Sequence, residues 1–174
     1  MQVSVDLLEQ ANQIFGLGLQ LHHDIAGHDS LQRHGATVTP DLLAKVKAAD
    51  GLLLGPMATY DFKDEAKGEI NPSMFFRKQL DLFANIRPAR TYDGMASITS
   101  GFDLIVVREN TEGEYSSVGG RMFEGTAREM VMQESVMTRV GVDRVLKFAF
   151  ELARTRPRRH LTSATKSNGI AITM

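Results

Sequence analysis

This sequence lacks several common features, and each absence excludes a class of protein. Its 174 residues include no cysteine, which excludes disulfide bonds and thiolate metal sites and favours a reducing cytoplasm. No apolar run approaches the roughly 20 residues that span a bilayer, and the chain does not begin with the basic segment of a secretory signal. The formal net charge of −1 provides no general attraction to nucleic acid or anionic membranes. We therefore expect a cytoplasmic globular protein with no nucleic-acid or membrane partner.

What the sequence does contain is an alternation of amphipathic helices and short apolar strands. Apolar residues at helical spacing predict helices at about 3–15, 40–51, 73–84 and 141–154. Alternating or continuous apolar runs predict strands at 17–23, 52–54 and 102–107, and two short strands within 160–174. Helices that alternate with buried strands favour an α/β fold.

Three arginines lie near the ends of predicted elements: Arg77, Arg87 and Arg108. The planar guanidinium group binds a carboxylate through two parallel, charge-assisted hydrogen bonds. If the three elements converge, these arginines could hold a substrate with two carboxylates. Spacing alone favours the simpler interpretation, in which each arginine lies on the surface and pairs with a local acid or with solvent.

Tyr115 and Lys166 are candidates for proton transfer. A phenol near a cation loses its proton more readily, which suits general acid–base chemistry. Lys166 follows a predicted strand, and ligands of α/β folds gather at such strand ends. From composition alone, an interface tyrosine and an exposed loop lysine remain the simpler interpretations.

Two further motifs have the composition of a binding site, but we predict no binding site at either. The segment "HHDIAGHD" invites a metal site, but a strand would direct His22 and His23 to opposite faces, so we predict no metal ligands there. The basic segment "RTRPRRH" at 154–160 fits a helix-to-strand connection better than a phosphate or nucleic-acid site.

Three segments together resemble a known family. "FRKQLDLFANIRP", "VVRENTEGEYSS" and "SATKSNG" occur in this order, and they resemble the decarboxylating β-hydroxyacid dehydrogenases, the isocitrate and isopropylmalate dehydrogenase family. The stretch from Val107 to Met174 is most similar to the tartrate and D-malate dehydrogenase branch. The resemblance covers nearly the whole chain, most strongly from Gly51 onward, and it implies a fragment of that α/β fold.

The resemblance implies a reaction and assigns residues to it. The expected reaction is the NAD-dependent oxidation of a short 2-hydroxy diacid and its decarboxylation with help from Mg or Mn. The residues that match the family's substrate, catalytic and cofactor positions are Arg77, Arg87, Arg108, Tyr115, Lys166 and, near the nicotinamide, Asn168. Ser73 is small and polar where isopropylmalate enzymes have apolar residues, which favours a short diacid. Glu109, Glu112 and Glu114 are expected to position their loop.

The resemblance also implies an organisation in two parts and a homodimer. Residues 1–90 correspond to part of a first, cofactor-side domain, and residues 91–174 to part of a second domain. Within the second part, residues 115–138 match a β arm that pairs with its copy across a two-fold axis. Lys166 would then act in the partner's site.

Both ends of the chain depart from the family pattern. The family has a strand and a glycine-rich turn before the position of Val3, and metal-binding aspartates and adenosine-binding segments after that of Met174. We therefore predict that this chain is a truncated member of the family, with no metal ligands of its own and little of the cofactor site. Two interpretations remain open: a fragment of a working dehydrogenase, and a catalytically inactive remnant that only dimerises.

Overall fold

The computed structural model describes residues 1–95, 98–99 and 101–165, which divide into two compact units at Leu80 and Asp81. The helices are α1 (Gln2–Phe15), α2 (His28–His34), α3 (Pro40–Ala48), α4 (Pro72–Gln79) and α5 (Arg139–Thr155). The strands are β1 (Ala84–Arg90), β2 (Asp103–Glu109), β3 (Gly119–Met122) and β4 (Met130–Gln133). Single 3-10 turns occur at Glu65–Lys67 and Glu114–Ser116. The mixture of helices and strands agrees with the predicted α/β class.

The first unit contains helices whose ends follow the sequence signals. The Thr39 hydroxyl accepts a hydrogen bond from the Leu42 amide, and Pro40 occupies the first position of α3. Helix α1 ends where Gly16 adopts a left-handed conformation, with φ 59°. Val38, Leu42 and Phe76 form the buried centre of this unit. The predicted first two helices are confirmed.

Two predicted strands of the first unit are wrong. Residues 17–23 and 52–54 have no regular secondary structure, and Leu53 remains 50% exposed. A strand is stable only when a neighbouring backbone satisfies its N–H and C=O groups, and neither segment has such a neighbour among the described residues. Leu21 and the three leucines at 52–54 instead line an open cavity of about 720 Å³ together with side chains of α1 and α3.

The third predicted helix is shorter than expected, and the strand that follows it was not predicted. Helix α4 ends at Gln79, and Ala84, the last residue of the predicted helix, begins β1 instead. Asp81 in the connection has a left-handed φ of 47°, which no helix can continue through. Pro88 is tolerated in β1 because this strand pairs on only one side within the described residues.

The second unit contains an antiparallel β1–β2 pair and helix α5. The strand register runs from Ala84 opposite Glu109 to Arg90 opposite Asp103. Helix α5 packs against β2, and Phe148 contacts Phe83 edge to face, with ring centroids 6.3 Å apart. The strand predicted at 102–107 and the helix predicted at 141–154 are therefore confirmed.

A second antiparallel pair, β3–β4, forms a separate hairpin in the segment of sequence that connects β2 to α5. Its register runs from Gly119 opposite Gln133 to Met122 opposite Met130, and every residue of both strands is exposed. Further along the chain, residues 160–165 contain no strand, contrary to the prediction, and the second strand predicted there lies outside the described residues. Among the described residues, no helix has both the length and the apolar character required to cross a membrane.

Candidate functional site

Two of the predicted substrate-binding arginines share one face of the β1–β2 sheet. The register places Asn85 opposite Arg108 and Arg87 opposite Val106. Residues directly opposite each other, and residues two apart along a strand, point to the same face. Arg87 and Arg108 are therefore diagonal neighbours on this face, a distance at which long side chains interact with one ligand.

Arg108 also contacts Tyr115. Arg108 Nη2 donates a hydrogen bond of 2.5 Å to the phenolic oxygen, and the guanidinium carbon lies 4.8 Å from the centroid of the tyrosine ring. Both side chains are half-buried. The strand end and the 3-10 turn that follows it thus bring a cation and a phenol together.

Two glutamates hold the loop that carries Tyr115. The Glu109 carboxylate accepts hydrogen bonds from the Thr111 amide at 2.9 Å and the Glu112 amide at 2.6 Å. The Glu112 carboxylate accepts from the Thr138 amide at 2.8 Å and the Thr138 hydroxyl at 2.6 Å, at the start of α5. These contacts confirm that Glu109 and Glu112 position the loop.

The same carboxylate lies directly against Gly141 in the first turn of α5. A Cβ atom on Gly141 would overlap the Glu112 carboxylate. The absence of a side chain at this helix position therefore permits the close approach that anchors the loop to α5.

Arg144 connects the loop to the residues that precede β1. Its Nη1 donates to the Asp81 carboxylate at 2.6 Å, and its Nη2 donates to the Thr111 hydroxyl at 2.8 Å. The guanidinium carbon lies 4.8 Å from the centroid of the Phe83 ring. Arg144 could not be identified from the sequence, because its partners come from two segments that are distant from it in the chain, residues 81–83 and the loop at Thr111.

Two asparagines, also not identified from the sequence, connect β1 to the end of β2. Asn110 is 4% exposed, and its Nδ2 donates to the Leu82 carbonyl at 2.9 Å. Asn85 donates from Nδ2 to Asn110 Oδ1 at 3.2 Å and accepts from Arg87 Nε at 2.9 Å. The available sequence signal was positional: Asn85 precedes Arg87 by two residues, as strand neighbours on one face do.

Two of the remaining predicted residues, Arg77 and Ser73, belong to α4 and not to the β1–β2 sheet. Arg77 and Ser73 lie one turn apart on α4 in the first unit, and both are half-buried. Arg77 Nη1 is 3.7 Å from the Met74 sulfur, a weak acceptor. Lys166 and Asn168 lie outside the described residues.

The described residues offer no metal centre, since no three or more histidine, aspartate or glutamate side chains among them form a group that could hold an ion. In the histidine-rich segment, Asp24 pairs with Lys45 at 3.0 Å, and this hydrogen bond raises the pKa of Lys45. His28 instead contacts Asp61 at 3.1 Å. Each of these acids thus has a partner other than a metal ion.

Comparison with known proteins gives consistent results. The model of the isocitrate/isopropylmalate dehydrogenase family matches residues 1–173. The chain is 42% identical to the tartrate dehydrogenase/decarboxylase of Pseudomonas putida, over 98% of this chain and 48% of that protein. It is 41% identical to the decarboxylating D-malate dehydrogenase of Escherichia coli strain K12, over 98% of this chain and 49% of that protein. The chain therefore spans about half the length of the curated relatives it matches.

Solved structures agree with these relatives. The isocitrate dehydrogenase of Methylococcus capsulatus superposes with a TM-score of 0.74 at 27% identity, over 97% of this chain and 49% of that one. The TT0538 protein of Thermus thermophilus superposes with a TM-score of 0.76 at 25% identity, over 97% of this chain and 33% of that one.

Proposed function

This chain belongs to the isocitrate/isopropylmalate dehydrogenase family, and we propose that it supplies the substrate-binding and proton-transferring part of a dehydrogenase that oxidises and decarboxylates a short 2-hydroxy diacid. The tartrate and D-malate dehydrogenases are the relatives that support this substrate class. Each of these substrates carries two carboxylates, so the proposal requires at least two cationic groups that are available to a ligand.

The observation that carries the proposal is where Arg87 and Arg108 lie and which groups they contact. Neither has a carboxylate partner among the described residues. Four other arginines in the described part of the chain form ion pairs with aspartate or glutamate: Arg121, Arg139, Arg144 and Arg156. Seven further described arginines also lack a carboxylate partner, so what distinguishes Arg87 and Arg108 is that they lie side by side on one face of the β1–β2 sheet. Two guanidinium groups on one face without acidic partners favour an anion supplied from outside the chain.

In this proposal the side chains have separate roles. Arg87 and Arg108 bind carboxylates of the diacid and fix its orientation. The Tyr115 hydroxyl, whose oxygen accepts a hydrogen bond from Arg108, is assigned as the donor of the proton that replaces CO2 on the substrate carbon. Arg77 and Ser73 keep their proposed substrate-binding role on the resemblance alone. The other assignments rest on the family resemblance together with the contacts described above.

Lys166 and Asn168 keep their proposed roles, proton transfer and contact with the nicotinamide, on the resemblance alone. A bound NAD would supply the hydride acceptor, and Mg or Mn the Lewis acid, that this chemistry uses. The described residues do not fit a metal ion, so no step of the proposal is assigned to one.

Substrate binding tests the proposal directly. Calorimetric titration should show that the chain binds D-malate and meso-tartrate more tightly than D-lactate, which has only one carboxylate. Arg108→Lys should weaken dicarboxylate binding by more than tenfold, because lysine lacks the bidentate fork and such a bond contributes about 1.5–3 kcal/mol. Arg139→Lys is the control, since Arg139 pairs with Asp143 on α5. Equal binding of all three acids would contradict the proposal.

We also propose that the protein is a homodimer joined through residues 115–138. The hairpin in this segment exposes five large apolar side chains: Met122, Phe123, Met130, Val131 and Met132. Apolar side chains collected on an exposed hairpin favour an interface with another chain. This feature also supports the alternative function, a remnant that only dimerises. That alternative predicts hairpin-dependent association without any binding of dicarboxylates.

A further inference from the structure

We infer that Asn85 and Asn110 form an amide relay that orients Arg87, and that Asn85 is thereby a positioning residue for dicarboxylate binding. The inference rests on the proposed function, since it concerns how one of the two arginines meets the substrate. It adds to that function a reason why Arg87, an exposed side chain, is held ready for a ligand.

The relay is a continuous chain of hydrogen bonds from the backbone to the guanidinium group. Asn110 Nδ2 donates to the Leu82 carbonyl at 2.9 Å, and Asn110 Oδ1 accepts from Asn85 Nδ2 at 3.2 Å. Asn85 Oδ1 then accepts from Arg87 Nε at 2.9 Å. The backbone N–H of Asn110 also donates to the Phe83 carbonyl at 2.9 Å, which fixes the buried end of the relay.

The two ends of the relay determine the orientation of both amides. The Leu82 carbonyl can only accept, so Asn110 must present its NH2 group to it and its oxygen to Asn85. Arg87 can only donate, so Asn85 must present its oxygen to Arg87 and its NH2 group to Asn110. Rotating either amide by half a turn would place oxygen against oxygen or donor against donor. Both ends therefore require the same arrangement, with no competing alternative.

The consequence concerns which part of Arg87 a ligand can reach. Its Nε is occupied by Asn85, and within the described residues its two terminal nitrogens have no hydrogen-bond partner. Those two nitrogens form a parallel pair of donors suited to one carboxylate. A long exposed side chain otherwise samples many conformations, so holding Nε lowers the entropic cost of binding.

Binding measurements on the whole chain test the inference. Asn85→Ala should weaken D-malate binding roughly three- to tenfold, the contribution of one hydrogen bond, while weak D-lactate binding through Arg108 should not change. Asn85→Asp should weaken D-malate binding at least as much, because its carboxylate cannot donate to Asn110 and neutralises Arg87. Asn12→Ala, which removes two hydrogen bonds to Leu19 in the first unit, is the matched control and should have no effect.

A second measurement needs no ligand. NMR spectra of arginine Nε–H groups, with the Arg87 signal identified by its loss in Arg87→Lys, should show slower hydrogen exchange for Arg87 than for Arg154. Arg154 is exposed and has no hydrogen-bond partner among the described residues. In Asn85→Ala the two exchange rates should become similar.

The outcomes separate this inference from the proposed function. A selective loss of D-malate affinity with faster Arg87 exchange supports the relay. Equal losses for D-malate and D-lactate, no loss in Asn85→Ala, or unchanged Arg87 exchange would overturn the relay and leave the proposed function intact. If the unmodified chain shows no preference for a dicarboxylate, the proposed function fails, and this inference fails with it.

Discussion

Gly141 has a structural role that its helix position alone would not suggest. Alanine is ordinarily favoured over glycine within a helix by about 0.5–1 kcal/mol. Here the new Cβ would overlap the Glu112 carboxylate, so this flexible side chain would have to turn away and lose its two hydrogen bonds to Thr138. We expect Gly141→Ala to lower the melting temperature. In a Glu112→Ala background, Gly141→Ala should raise the melting temperature, because the carboxylate is no longer there to be displaced. Comparing the two backgrounds therefore separates the effect of the overlap with Glu112 from the effect of helix propensity. A rise in both backgrounds would contradict this explanation.

Asp103 provides a pH-dependent contribution at the first residue of β2. Its hydrogen bond from Arg156, 2.8 Å long, lowers the pKa of the Asp103 carboxyl. A lowered folded-state pKa means that the stabilisation is present above the unfolded value of about 4 and is lost as the pH falls through the folded value. Asp103→Asn should therefore destabilise the chain at pH 7 and reduce the dependence of its stability on pH below 4. Asp50→Asn, which removes an exposed carboxylate without a hydrogen-bond partner among the described residues, is the matched control.

Single residues of the site differ in how far the sequence could predict them. Arg108 and Tyr115 belong to one short segment, so their contact follows from local geometry. Asn85 and Asn110 are ordinary polar residues in the sequence, and their relay exists only because the register of β1 and β2 aligns them. A register is a property of two strands together, and β1 itself was not predicted.

Among the elements, helices were predicted more accurately than strands. Helix α3 has its start signals within four consecutive residues, Thr39 to Leu42, so local sequence determines its first turn. Residues 52–54 have a strand-like composition but no neighbouring strand in the described chain, and composition cannot supply one. Strand β1 contains Asn85 and Pro88, which strands usually avoid, and it forms because β2 satisfies its backbone.

The hairpin β3–β4 is the element on which the proposed dimer depends. Val131, 63% exposed in β4, should lie in the interface, so Val131→Asp should shift the chain toward monomer in analytical ultracentrifugation. Val140→Asp is a matched control, because Val140 is 73% exposed but lies on α5. An identical association constant for Val131→Asp and the unmodified chain would remove the hairpin from the interface.

At the scale of the whole molecule, the chain exposes much apolar surface. The cavity of the first unit is about 720 Å³ in volume, and Leu52 and Leu53 on its wall are 41% and 50% exposed. Surfaces of this kind bind apolar dyes. We expect strong fluorescence from anilinonaphthalene sulfonate, reduced by Leu53→Gln and unaffected by Val140→Asp. Weak fluorescence from the unmodified chain would show that this surface is covered in solution.

The short link between β1 and β2 has a consequence for how the arginine face assembles during synthesis. Only residues 91–102 separate the two strands, so closing this loop costs little chain entropy. The pairing of the two strands requires no residue beyond Glu109. A nascent chain can therefore begin to pair β1 with β2, with Arg87 and Arg108 on one face, before α5 is synthesised, and the packing of α5 against β2 then stabilises this marginal two-stranded pair.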